Sequence, residues 1–100
     1  MNKINQKKIN TIQDLKNFLK DYFKNYDVKI YLFGSRAEGR EKLYSDIDLA
    51  IETQEDIKQK IVLLKEILEN SNLPYKVDVV NLKDAPYLKK TVKQKGKRWL

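Results

Sequence analysis

Apolar residues in this chain recur at two spacings, and the switches between them divide it into six elements. Ile12, Leu15, Leu19, Tyr22 and Phe23 follow helical spacing with Phe18 beside them, and Lys16, Lys20 and Lys24 fall on the other side. Thr11 with Asp14 forms a capping-box pattern ahead of them, so an amphipathic helix is expected to end near Asn25 and Tyr26. The stretch before it, residues 1–10, is polar and reads as a loose lead-in with only Ile4 and Ile9 to bury. Val28 to Phe33 is β-branched and aromatic, which predicts a strand that Gly34 breaks. Residues 35–44 carry five charges and Gly39 and read as a loop.

From Asp46 to Glu52 the pattern alternates. Ile47, Leu49 and Ile51 face one way, and Asp46, Asp48 and Ala50 the other, as in a strand with one buried face. Thr53 with Asp56 resembles a second capping box. Ile57, Ile61, Leu64 and Leu68, flanked by Ile67, then make a helical stripe that ends at Asn70-Ser71-Asn72 and Pro74. Lys76 to Leu82, with Val77, Val79 and Val80, predicts a third strand that embeds Asp78. Asp84 is placed to cap a last helix with Pro86 in its first turn, Leu88 and Val92 as core contacts and Gly96 at its end. Trp99 and Leu100 form a short extended finish. The order α-β-β-α-β-α predicts an α/β (α+β) domain over residues 1–100. Its mixed sheet of three or four strands is flanked by helices, mainly on one face.

Composition narrows the chemistry. One hundred residues, 41% of them apolar, suffice for one modest core without disorder beyond the ends. With no cysteine and no histidine there is no disulfide, no thiolate or imidazole ligand and no imidazole base, so any metal must be a hard cation held by oxygen. No membrane span or signal peptide is visible, which makes the cytoplasm the expected location. The net charge of +7 favours anionic partners such as nucleotides, RNA or an acidic protein face. Most of the lysines, however, fall on polar helix faces.

One stretch reads as chemistry: Leu32-Phe33-Gly34-Ser35-Arg36-Ala37, a loop, then Ser45-Asp46-Ile47-Asp48-Leu49. Residues i and i+2 of a strand share a face about 6.6 Å apart, so Asp46 and Asp48 repel unless a cation neutralises them. Mg²⁺ suits such carboxylates, and two ions can clamp the attacking and leaving oxygens of a phosphoryl displacement. Gly34 at the strand end lets an anion approach the backbone. The Ser35 hydroxyl and the turn amides can bind triphosphate oxygens, with Arg36 and Arg40 adding cations nearby. Asp78 lies among valines, where an unpaired carboxylate is costly. If the third strand neighbours the second, Asp78 joins the pair, completes a metal site and helps deprotonate an acceptor hydroxyl.

These motifs resemble the signature of the DNA polymerase β-like nucleotidyltransferase superfamily, and most nearly its minimal nucleotidyltransferase (MNT) branch. Lys76-Val77-Asp78-Val79-Val80 sits where that family carries its third carboxylate. The resemblance implies Mg²⁺-dependent transfer of a nucleoside monophosphate from an NTP, expected here to be AMP from ATP. Gly34 and Ser35 would hold the triphosphate, Asp46 and Asp48 the metals, and Asp78 the acceptor side. It also implies a HEPN-domain toxin encoded nearby, with this chain as the antitoxin of a type VII-like pair that AMPylates a tyrosine of the toxin. The sequence shows no second domain for a large acceptor, so the acceptor is expected to arrive on a partner protein or at a site completed by a homo- or hetero-oligomer. Two other functions fit the same residues. One is an antitoxin that acts by contact alone through its basic surface. The other is nucleotidyl transfer to RNA or a small molecule.

Overall fold

The structure is a computed structural model and describes residues 9–34 and 46–100. Ile4, Ser35, Arg36, Arg40 and most of the loop between the first two strands lie outside the described residues.

Helix α1 spans Ile12–Tyr22 and opens on the expected capping box. Asp14 N–H donates to Thr11 Oγ1 at 3.0 Å, and Thr11 N–H donates back to Asp14 Oδ2 at 3.1 Å. The Asn10 amide, then burial and the Thr11 contacts, leave the Asp14 carboxyl net below the usual carboxylate range. Strand β1 is Val28–Phe33, β2 is Ile47–Thr53, helix α2 is Lys58–Glu69 and β3 is Val77–Asn81. A 3₁₀ turn at Pro86–Leu88 runs into helix α3, Lys89–Lys95, and a two-residue strand β4, Lys97–Arg98, follows. Trp99 N–H and Ile30 C=O extend that last pairing at 2.8 Å.

The sheet order is β3-β2-β1-β4. β1 runs antiparallel to both β2 and β4, while β2 and β3 are parallel and joined through α2. The sheet is therefore mixed, and the third strand neighbours the second. Ile47, Leu49 and Ile51 meet Leu15, Leu19, Ile61 and Leu64 in the main core under α1 and α2. Truncating a fully enclosed leucine such as Leu15 or Leu64 to alanine would cost about 2–5 kcal/mol. The Tyr22 hydroxyl donates to Lys60 C=O at 2.7 Å and ties the two helices together. Burial, then the neighbouring Tyr26, raises the Tyr22 pKa. Ile9, in the lead-in, also enters this core.

The opposite sheet face is thinner. Ala50, Leu82 and Val92 are buried there, with Tyr31, Phe33 and Leu88 against them, so α3 covers part of this face. Two expected caps differ from the structure. Thr53 does not cap α2: its hydroxyl donates to Asp27 C=O and accepts from Glu55 N–H, because the chain turns once more before the helix begins. Lys58 N–H is met instead by Asp56 Oδ1. Asp84 sits in a turn behind Asn81, and the 3₁₀ turn that follows starts from Ala85 without a side-chain cap. Among the described residues no helix is long and apolar enough to cross a membrane.

Candidate functional site

The alternation of β2 puts Asp48, Ala50 and Glu52 on the thinner face. The register then builds rows across the sheet. Asp48 stands opposite Phe33 of β1 and opposite Asp78 of β3. Directly paired residues of neighbouring strands point to the same face, so the two carboxylates flank one another. Asp46 is exposed and precedes β2 rather than lying within it. Asp46 and Asp78 both bear on Asp48: burial, then Asp78, then Asp46 push its carboxyl above the ordinary aspartate value of 3.8. Asp78 itself is half exposed, 3.9 Å from Lys76 Nζ.

Gly34 closes β1 with φ +81°, a left-handed conformation that glycine adopts without strain. A Cβ built on it would lie 2.5 Å from Asp48 Oδ2. The bulky anion for which this glycine makes room is thus, first of all, the Asp48 carboxylate. The glycine of the turn and the aspartate of the strand are adjacent although 14 positions apart in sequence. Ser35 and Arg36, the other expected phosphate ligands, lie outside the described residues.

Two pleats along β2 from Asp48, on the same face, Glu52 meets the opposite environment. Lys93 Nζ is 3.0 Å and Lys89 Nζ 3.4 Å from its Oε2. Burial raises the Glu52 pKa, but hydrogen bonds from Lys93 and Lys89 outweigh it, and the net shift is downward from 4.5. Its Oε1 is buried and, among the described residues, has no hydrogen-bond partner. No motif in the sequence marks this brace. Its one trace there is the i+4 position of Glu52 relative to Asp48 on an alternating strand, with lysines four apart on the last helix.

The carboxylates suit a hard cation chemically, since they are oxygen-only and crowd one another at Asp48. Among the described residues no group of three acidic side chains is disposed to hold a metal as it stands.

A family model described as "Polymerase beta, Nucleotidyltransferase" matches residues 13–99. The chain is 41% identical over 56 residues to a probable protein adenylyltransferase, MntA, of Haemophilus influenzae, over 55% of this chain and 49% of that protein. It thus spans about half the length of this curated relative. A crystal structure of a toxin–antitoxin with AMP-PNP superposes with a TM-score of 0.60 at 26% identity, covering 85% of this chain and 72% of that one. A mutant MntA–HpeT toxin–antitoxin structure superposes with a TM-score of 0.58 at 22% identity, over 85% and 71% of the two chains, a likeness of fold.

Proposed function

From the premise that the chain belongs to the Polymerase beta nucleotidyltransferase family, we propose that it transfers AMP from ATP to a hydroxyl of a partner toxin and so acts as an antitoxin. The acceptor we favour is a tyrosine of a HEPN-domain protein encoded beside it. A relative named as a protein adenylyltransferase and a structural neighbour that is a toxin–antitoxin with AMP-PNP support this reading. The observation that carries it is the like-charged row: Asp48 paired with Asp78, Asp46 at the strand's entry, and Gly34 cleared of any Cβ beside Asp48.

In this reading Asp46, Asp48 and Asp78 would hold Mg²⁺, two ions in all, and Gly34, Ser35 and Arg36 would hold the triphosphate. Magnesium bound there would neutralise phosphate charge and make the α-phosphorus more open to attack. The chain's own residues do the rest. Gly34 lets the turn and the Asp48 carboxylate meet without a clash. Asp78 orients the acceptor hydroxyl and accepts its proton as the new O–P bond forms. The bond from the α-phosphorus to the pyrophosphate oxygen breaks, and pyrophosphate leaves with the electron pair.

The test combines the chain, Mg²⁺, ATP labelled on its α-phosphate and the product of the adjacent gene. The expected result is label on that protein with wild type and none with Asp48→Asn. An unlabelled partner, or equal label with the variant, would overturn the reading. Full neutralisation of toxicity by a folded Asp48→Asn variant would assign the antitoxin action to contact alone.

A further inference from the structure

β3 is an edge strand, and among the described residues no strand pairs with its outer side. The hydrogen bonds at its two ends fix the parity. Ile47 N–H donates to Lys76 C=O at 2.8 Å, and Leu82 N–H donates to Ile51 C=O at 2.9 Å. In a parallel ladder, alternate residues of a strand direct both backbone groups to the same neighbour. Asp78 and Val80 therefore bond toward β2, and the N–H and C=O groups of Val77 and Val79 point to the open edge. A groove of about 750 Å³ runs along that edge, walled by Lys65, Leu68 and Glu69 of α2 and by Val77, Asp78 and Val79 of β3.

We infer that this groove receives the acceptor as an extended segment of the partner protein, added to the sheet as a strand beside β3. The identity of the occupant rests on the transferase reading; the groove and its open backbone edge do not. Three features select an extended peptide. The Val77 and Val79 amide and carbonyl groups, spaced two residues apart, match the alternating groups of another strand. Side chains of an added strand alternate, so one set meets the apolar wall at Leu68 while the other lies in line with Asp78. Paired Cβ atoms on adjacent strands sit about 4.5–5.5 Å apart, so a hydroxyl residue opposite Asp78 stands on the same face as the acid row, a tyrosine leaning across to reach it.

Amide exchange read by NMR, with the inactive Asp48→Asn variant and the product of the adjacent gene, tests the placement without using catalysis. The Val77 and Val79 amides are expected to exchange at least about tenfold more slowly in the complex, with Asp78 and Val80 little changed. Binding without protection at Val77 and Val79 overturns the inference. So does concentration-dependent protection of both amides in the free chain, which would put a second copy on the edge. The chain has no cysteine, so Lys65→Cys carries a bulky maleimide at one defined place in the groove. That adduct should lower AMP transfer to the partner by at least about tenfold while ATP affinity stays within about twofold. Equal loss of both would also count against the groove. Protection at Val77 and Val79 without transfer by wild type would leave the groove standing and remove the transferase reading. Transfer without that protection would do the reverse.

Discussion

Asp48 and Glu52 lie on the same strand and the same sheet face, and their surroundings are opposite. Glu52 has two lysines from α3 within 3.4 Å and titrates below its ordinary value. Asp48 has two more carboxylates bearing on it, is half-buried and titrates above its own. One end of the face is neutralised from within the chain. Among the described residues the other end gathers three carboxylates, with the exposed Lys76 3.9 Å from Asp78. A carboxylate braced by lysines holds a helix to a sheet; carboxylates crowded together are placed for a cation or a proton from outside.

The sharpest way to break this contrast is Asp48→Asn. It should cut AMP transfer by about a thousandfold. It should also raise the melting temperature at neutral pH by roughly 2 °C in metal-free buffer, because the ionised, crowded carboxylate is gone. The sign follows from the raised pKa: ionising Asp48 opposes folding, and that opposition disappears as pH falls below its folded-state value. A variant that melts lower than wild type would mean that the aspartate is structural. Next in size is Gly34→Ala, which strains φ +81° and drives a Cβ against Asp48 Oδ2. A loss of about a hundredfold in transfer and of roughly 1–3 kcal/mol in stability is expected, read by labelling and by denaturant titration.

Glu52→Gln probes the braced end. Transfer should change little, while the melting temperature falls by roughly 4 °C, about 1 kcal/mol in a domain of this size. Because the Glu52 pKa is depressed, its contribution is present above 4.5 and is lost as pH falls through the lower folded-state value. The gap between wild type and Glu52→Gln should therefore close in acid, and a pH series of thermal melts would show it. The smallest effect tests whether the two ends of the face are insulated from the distal core. Thr11→Ala removes the α1 cap and should cost about 1 kcal/mol while leaving transfer per folded molecule unchanged.

Much of this architecture was legible before any coordinates. The period-two pattern of Ile47, Leu49 and Ile51 and the stripe of Ile61, Leu64 and Leu68 forced a sheet face and a helix together, and they form the core. The Thr11–Asp14 cap is local and could be read locally. The Thr53 and Asp84 caps could not, because a hydroxyl or carboxylate with several nearby partners is claimed by the turn geometry. At Thr53 it is Asp27, from a different part of the chain, that supplies the acceptor. The burial of Ala50 beneath Val92 was also hidden, since one small residue on a strand carries no periodicity of its own. At the site, the sequence placed Asp46, Asp48 and Asp78 as candidates, and the parallel register aligned two of them. It gave no sign that Glu52 would draw Lys89 and Lys93 out of a basic cluster read as surface.

The contact between Gly34 and Asp48 restricts the order in which this protein could change. A side chain gained at the first position must push the carboxylate at the second out of its present orientation as well as bear the left-handed backbone, so the turn varies at lower cost once that acid has been surrendered. Reversal is hindered in the same way, since an acid restored beside a side chain at the turn cannot resume its original orientation. The two positions therefore behave as one hereditary unit with a ratchet, and the damage done by a methyl group at the turn should shrink when the acid has already been cut back to alanine.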